Sequence, residues 1–168
     1  MSAPLIHHIG VLVENLEEAI EKWSKATGYS FTHIARYRTQ RYVDHSNETP
    51  HYHDARIAFS LEGQPFIELM EFHGAGTHSA AQGEGFHHFG FTEHPDVEGR
   101  MRALADIGIP DDGKVLDDDG NVILWFTEKS ALNGMRLEYV SSDPQPTIAD
   151  DGSPLPTDGQ GRPQMVSD

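Results

Sequence analysis

His8 and His88 stand in the same local frame. Each is the second of a histidine pair followed by an apolar residue, a glycine and another apolar residue: His7-His8-Ile9-Gly10-Val11 and His87-His88-Phe89-Gly90-Phe91. The first copy lies in an apolar run, Leu5 to Val13, that leads straight into a helix start, which is the pattern of a buried strand. On a strand the side chains alternate, so His8 shares a face with Ile6, Gly10 and Leu12, and Ile9, Val11 and Val13 point the other way. An imidazole on an inner strand face is either a hydrogen-bonded core residue or a metal ligand. The two copies are 80 residues apart, and so are the glycines that close the helical patterns after them, Gly28 and Gly108. Three features with one spacing argue for an internal duplication and for a shared role of the two histidines.

Two carboxylates occupy matching places late in each half: Glu68 in Phe66-Ile67-Glu68-Leu69-Met70 and Glu138 in Arg136-Leu137-Glu138-Tyr139-Val140. A mid-strand carboxylate is costly to bury unless it is paired or metal-bound; an exposed edge strand is the alternative. Arg136 shares the face of Glu138. It would clamp a substrate carboxylate or pair with a neighbouring acid.

The elements that must position these groups follow from the pattern. Asn15 is a good N-cap with Glu18 three residues on. Leu16, Ala19, Ile20 and Trp23 form a helical stripe, and Gly28 suits the C′ position. This helix should pack on Ile9, Val11 and Val13, leaving His8 to face a cavity. Tyr29 to Tyr42 reads as a strand whose Arg36, Arg38 and Arg41 form either a solvated face or an anion-binding patch. Val43 to Asp54, polar and carrying Pro50, His45, His51 and His53, reads as a long loop or lid. Strands are expected at 55–61 and 65–72. In the second half, Pro95 and Asp96 open a helix with the stripe Val97, Met101, Leu104 and Ile107. Strands follow at 114–116, 122–127 and 135–140, with a turn at Asp117-Asp118-Asp119-Gly120-Asn121 that lacks the spaced ligands of a calcium loop.

Each half is thus strand, helix, strand, strand, strand: an α+β chain of two βαβββ modules, at 5–73 and 86–140, joined by a Gly-, Ala- and Ser-rich linker at 74–85. Glu68 and Glu138 are 70 rather than 80 residues apart, as expected if the second half lacks most of the 43–54 loop. Residues 141–168, with five prolines among Asp, Gly and Ser, should form a disordered or loosely draped acidic tail.

Composition narrows the function. The chain has 168 residues, 12 Lys and Arg against 27 Asp and Glu, a net charge of −15, 11 histidines and no cysteine. Disulfides and thiolate ligands are excluded. The negative charge disfavours nucleic acid and anionic membrane as partners. No run approaches the ~20 apolar residues of a membrane span, and the N-terminus lacks a basic region followed by an apolar one, so a cytoplasmic location is expected.

The order of these motifs resembles the vicinal oxygen chelate superfamily, which includes glyoxalase I, methylmalonyl-CoA epimerase, type I extradiol dioxygenases and the bleomycin- and fosfomycin-resistance proteins. The resemblance covers about residues 5–140. The segments His8-Ile9-Gly10-Val11-Leu12-Val13-Glu14-Asn15-Leu16, Ile67-Glu68-Leu69-Met70-Glu71 and Gly134-Met135-Arg136-Leu137-Glu138 look most like its epimerase and glyoxalase branch. It implies a curved, cup-shaped sheet with helices outside and ligand positions converging inside, onto which His8, Glu68, His88 and Glu138 fall one by one. Two imidazoles and two carboxylates suit a divalent first-row ion (Zn, Ni, Co, Mn or Fe) with two positions open to neighbouring substrate oxygens. The resemblance further implies an isomerase, epimerase or lyase acting on a small carbonyl compound through a metal-stabilised enolate, with Glu138, and after it Glu68, as the proton carrier, and a homodimer. An Fe(II) ring-cleaving dioxygenase and a metal-free small-molecule binding protein of the resistance type are the alternatives.

Overall fold

The computed structural model describes residues 3–155. The first module runs β1 (His8–Val13), α1 (Leu16–Thr27), β2 (Ala35–Asp44), β3 (Asn47–Phe59) and β4 (Phe66–Glu71). The second runs β5 (Gly85–His94), α2 (Val97–Ala105), β6 (Asp111–Leu116), β7 (Val122–Thr127) and β8 (Arg136–Ser141), and a last short strand follows, β9 (Thr147–Ala149). The expected pair of βαβββ units is therefore present. Each module orders its strands in the same way, β2-β3-β4-β1 and β5-β8-β7-β6. The two meet antiparallel at β1–β5 and again at β2–β6, which closes the sheet on itself.

Local chemistry places the helices. The Asn15 side chain accepts a hydrogen bond from the Glu18 backbone N–H, and Gly28 ends α1 in a left-handed conformation, φ 78°, which glycine adopts without steric penalty. Leu16 and Ala19 pack with Val11, Val13 and Leu69 on the outer face of the sheet, with Ile20 and Trp23 alongside. Asp96 caps α2 by accepting from the Gly99 N–H, and Val97 and Leu104 pack on Trp125 and Tyr139. Ile107 is not part of this stripe: α2 ends at Ala105, and Ile107 is 70% exposed. Leu12, Ala35, Ala55, Ile57 and Met70 fill the inner side. Strand alternation thus holds on β1 and β4, and it aims His8 and Glu68 inward.

Two expected irregular segments are ordered. Residues 43–54 are not a loop: they form the tip of a β2–β3 hairpin that turns at Asp44–Asn47. The Asp44 carboxylate accepts from the backbone N–H groups of Ser46 and Asn47, the Asx geometry of a tight turn. Pro50 lies where the β2–β3 register shifts between Thr39 and Asp44, so its missing N–H removes no regular ladder bond. The linker at 74–85 is docked rather than loose, with Thr77, His78 and Ser79 buried.

Residues 141–155 are likewise not a free tail; residues 156–168 lie outside the described residues. β6 pairs with β2 only through Tyr42–Asp44, and β9 takes the adjoining edge of β2 at Ala35–Tyr37. A strand edge with unpaired backbone groups is thereby covered. Asp150 then pairs with Arg36 at 3.0 Å and Arg56 at 3.1 Å, and Arg56 also holds Glu71 at 3.0 Å and Glu17. Leu155 packs against the inner core cluster. The tail composition is poor in apolar residues, but pairing and ion pairs substitute for burial. Removing residues 147–168 is expected to cost about 2 kcal/mol or more, from one partly buried leucine, the β9 pairing and several partly buried ion pairs. For a chain of this size that lowers the melting temperature by roughly 5 °C or more; a fall of less than ~1 °C in calorimetry would show that β9 contributes nothing.

Candidate metal centre

The four residues singled out by the sequence meet at the junction of the modules. β1 and β5 pair so that His8 faces Gly90 and Gly10 faces His88. The parallel neighbours complete the frame: Gly10 lies opposite Glu68 on β4, and Gly90 opposite Glu138 on β8. Each glycine is thus flanked by a histidine of one module and a glutamate of its own. This explains the His-x-Gly motif physically. A Cβ on Gly10 would stand 2.1 Å from the His88 ring, and one on Gly90 2.0 Å from the His8 ring. The imidazoles lie across the two glycines because nothing larger leaves them room.

His8 Nε2 lies 2.9 Å from Glu138 Oε2 and 3.4 Å from Glu68 Oε2. His88 Nε2 lies 3.3 Å from Glu68 Oε2 and 3.5 Å from Glu138 Oε2. The two Nε2 atoms are 2.9 Å apart. All four side chains are buried, with His88 at 0% exposure. Burial disfavours every charged form here. It pushes His88 down to about 3 and lowers His8, and with the Glu138 charge nearby it lifts Glu68 to about 7; Glu138 is also raised by burial.

The histidine pairs set the tautomers. His88 Nδ1 is 2.9 Å from His87 Nδ1, and His87 Nε2 is 2.9 Å from the Thr77 carbonyl oxygen. A carbonyl only accepts, so His87 donates from Nε2 and its Nδ1 carries a lone pair. His88 therefore donates from Nδ1, and its Nε2 lone pair points into the cluster. His8 Nδ1 lies 3.0 Å from His7 Nδ1. The His88 Nε2 lone pair then lies 2.9 Å from His8 Nε2, beside two buried carboxylate oxygens, Glu68 Oε2 and Glu138 Oε2, that have no hydrogen-bond partner outside the cluster. Two buried carboxylates this close to one another are costly unless a cation sits among the donors. Two nitrogens and two oxygens are a fitting donor set for a divalent first-row ion, and His8, His88 and Glu138 offer ligand atoms within 4.8 Å of one another.

His87 departs from the expected strand face. The β1–β5 register shifts between Gly10, opposite His88, and Val11, opposite Phe86, which leaves His87 as the extra residue of a bulge. A bulge re-aims a side chain, so His87 and His88 both turn inward and Phe86 is left 69% exposed. His78, in the docked linker, stacks on His87 at 4.8 Å, and His53, expected in a loop, is 6% exposed beside it. The spacing of these residues gives no sign of their association. Arg136 is buried, with its guanidinium on the Asp112 carboxylate at 2.5 Å and the Gln82 side chain at 3.2 Å. The structure thus gives it a structural ion pair, in place of the substrate clamp considered from sequence. His45, Asp112 and Glu128 also bring ligand atoms together, with Asp112 buried and His45 exposed; the second oxygen of each carboxylate is held, Asp112 Oδ2 by Arg136 and Glu128 Oε1 by the Ser130 N–H.

The centre opens on a cavity of about 430 Å³ that reaches His8, Glu68 and Glu138. Its walls are Tyr37, Ile57, Phe59, Leu124, Val140 and Leu155.

The profile of the Glyoxalase/Bleomycin resistance protein/Dioxygenase superfamily matches residues 7–115. No curated protein matches the chain. Among solved structures, a hypothetical protein of Bacillus halodurans is similar at 18% identity and a TM-score of 0.57, over 86% of this chain and 98% of that one. A Streptomyces coelicolor methylmalonyl-CoA epimerase bound to 2-nitronate-propionyl-CoA is similar at 21% identity and a TM-score of 0.55, over 84% and 100%. The methylmalonyl-CoA epimerase of Mycobacterium tuberculosis is similar at 18% identity and a TM-score of 0.53, over 86% and 93%. At these identities the likeness is one of fold.

Proposed function

Because the chain belongs to the glyoxalase/bleomycin resistance protein/dioxygenase superfamily, we propose that it is a metal-dependent isomerase, epimerase or lyase that moves a proton at the carbon beside a carbonyl of a small substrate. One observation carries this reading: four buried donors converge, and two of their oxygens lack any other partner. His8, Glu68, His88 and Glu138 would hold the ion, with zinc, nickel, cobalt, manganese and iron all compatible with the donor types. A divalent ion there would supply Lewis acidity toward two neighbouring substrate oxygens.

The remaining work falls to the chain. His87 keeps the ring nitrogen of His88 that faces the cluster unprotonated. Glu138 reaches the cavity floor and takes the proton from carbon, and Glu68, on the opposite side of the cluster, is the second choice. The apolar walls limit water at that carbon, which strengthens the electrostatics between the carboxylate and the C–H bond. A complete set of donors favours this reading over a metal-free binding protein, which needs none. Four protein donors also leave less room for dioxygen beside a substrate than a three-ligand iron site does, which favours it over a ring-cleaving dioxygenase.

A cytoplasmic homodimer belongs to the same proposal; no described helix is long and apolar enough to cross a membrane. The experiment is elemental analysis of protein purified without chelator, followed by titration of the stripped protein with each divalent ion. About one ion per chain, bound competitively among the first-row metals, is the expected result. A stripped protein that takes up none of them would overturn the proposal.

A further inference from the structure

We propose that the substrate is an electrically neutral, largely apolar carbonyl compound, and that the cavity excludes carboxylic acids, phosphate esters and coenzyme A or glutathione conjugates. This rests on the reading of the cluster as a metal centre and specifies what that centre acts on. Four features of the cavity point to it.

The centre itself brings no net charge to the substrate. Two carboxylates and two neutral imidazoles around a divalent ion would sum to zero, so an anion would find no surplus of positive charge at the floor. The walls add none. Among the described residues that line the cavity none is Lys or Arg, and Asp143 at its edge is an acid.

The neighbouring arginines are already committed. Arg36 and Arg38 hold the Asp54 carboxylate, each at 3.1 Å, and Arg36 also holds Asp150 at 3.0 Å. Arg56 is shared among Glu17, Glu71 and Asp150, and Arg136 lies on Asp112. Arg41, the last cation of the β2 patch considered from sequence, pairs with Asp118 at 3.3 Å. The patch is thus balanced from within, and none of these guanidinium groups lines the cavity.

Finally, residues 141–155 form one side of the pocket and narrow its chemistry. Gln145 accepts from the Tyr37 hydroxyl at 2.7 Å and donates to the Asp143 carbonyl at 2.9 Å, and Leu155 adds apolar surface beside Ile57 and Phe59. The Gln145 amide is thus tied on both its oxygen and its nitrogen to neighbouring chain atoms. An anionic substrate would leave water for a largely apolar pocket, with no Lys or Arg among its described lining residues, in a chain of net charge −15. A charge buried without a partner is strongly disfavoured, and the field of the whole chain slows its approach. A neutral compound with two adjacent oxygens meets neither penalty, and a volume of about 430 Å³ lies in the range of small-ligand pockets.

The test is calorimetric titration at neutral pH with three probes: 2-hydroxyacetophenone, which is neutral; mandelate, which places a carboxylate on a similar skeleton; and propionyl-CoA. Each is titrated into zinc-loaded and stripped protein. The neutral probe is expected to bind at least tenfold more tightly than either anion. Leu155→Arg is expected to move the ratio at least tenfold toward mandelate with unchanged metal content. Tighter binding of mandelate or propionyl-CoA by the native protein overturns the inference, and so does failure of the neutral probe to bind either form. A neutral preference in a protein that takes up no metal sustains the inference while the metal reading fails. Stoichiometric metal with an anion preference does the reverse.

Discussion

His88→Ala is expected to reduce bound metal from about one ion per chain to a level lost on dialysis, and His87→Ala to weaken binding by roughly 10- to 100-fold. The two residues are adjacent, yet their roles differ. His88 contributes a donor that lies within 3.5 Å of both carboxylate oxygens. Its loss removes one ligand of four and leaves the others without a closed set. His87 contributes no donor to the cluster. It fixes the His88 tautomer by accepting from Nδ1 while its own Nε2 is held by the Thr77 carbonyl, and outer partners of this kind typically tune affinity by that smaller factor. Gly10→Ala supplies an independent check that deletes no donor. Its new Cβ would sit 2.1 Å from His88 Cε1, so the ring must leave its place, and metal loss close to that of His88→Ala is expected. Circular dichroism of the stripped variants separates unfolding from loss of the site. Native spectra with full metal retention in His88→Ala would remove His88 from the ligand set. Equal losses in His87→Ala and His88→Ala would show that the bulged residue is itself a donor.

The convergence of His8, Glu68, His88 and Glu138 was legible because two simple regularities act together. Strand alternation fixes which face a residue takes, and a duplicated spacing implies equivalent places in equivalent modules. What alternation does not encode is register. That Gly10 faces both His88 and Glu68 follows only from how β1 sits between β5 and β4. A bulge breaks alternation altogether, which is why His87 lies inside together with its neighbour His88. Residues 43–54 looked like a loop because a protruding hairpin is polar on both faces and so shows no period. Residues 141–155 looked disordered because composition measures the apolar surface a segment brings. It does not register an open edge of β2 or the arginines that wait for Asp150. Arg136 was placed correctly on the inward face of β8, but its partner Asp112 comes from β6, 24 residues away, and no local pattern links them.

Glu138→Gln is expected to abolish proton exchange at carbon while leaving metal in place. With 2-hydroxyacetophenone in D₂O, the protein should introduce deuterium at the hydroxymethyl carbon beside the carbonyl, and only when metal is bound. Glu138 is buried at the cavity floor, where burial raises its proton affinity. A positioned general base contributes roughly 10²- to 10⁴-fold. The amide of glutamine is nearly the same size and keeps an oxygen that can point at the cluster, but it cannot take up a proton at neutral pH. The rate should therefore fall by at least about 100-fold, with metal content, measured on the same sample, close to that of the native protein. Glu68→Gln is the paired control. If Glu138 is the base, Glu68→Gln keeps a larger share of the exchange rate at equal metal occupancy. The opposite ranking would transfer the proton to Glu68, on the other side of the cluster. Exchange unaffected by either substitution would exclude both carboxylates, and oxygen uptake with a catechol in place of exchange would replace the isomerase reading with that of a dioxygenase.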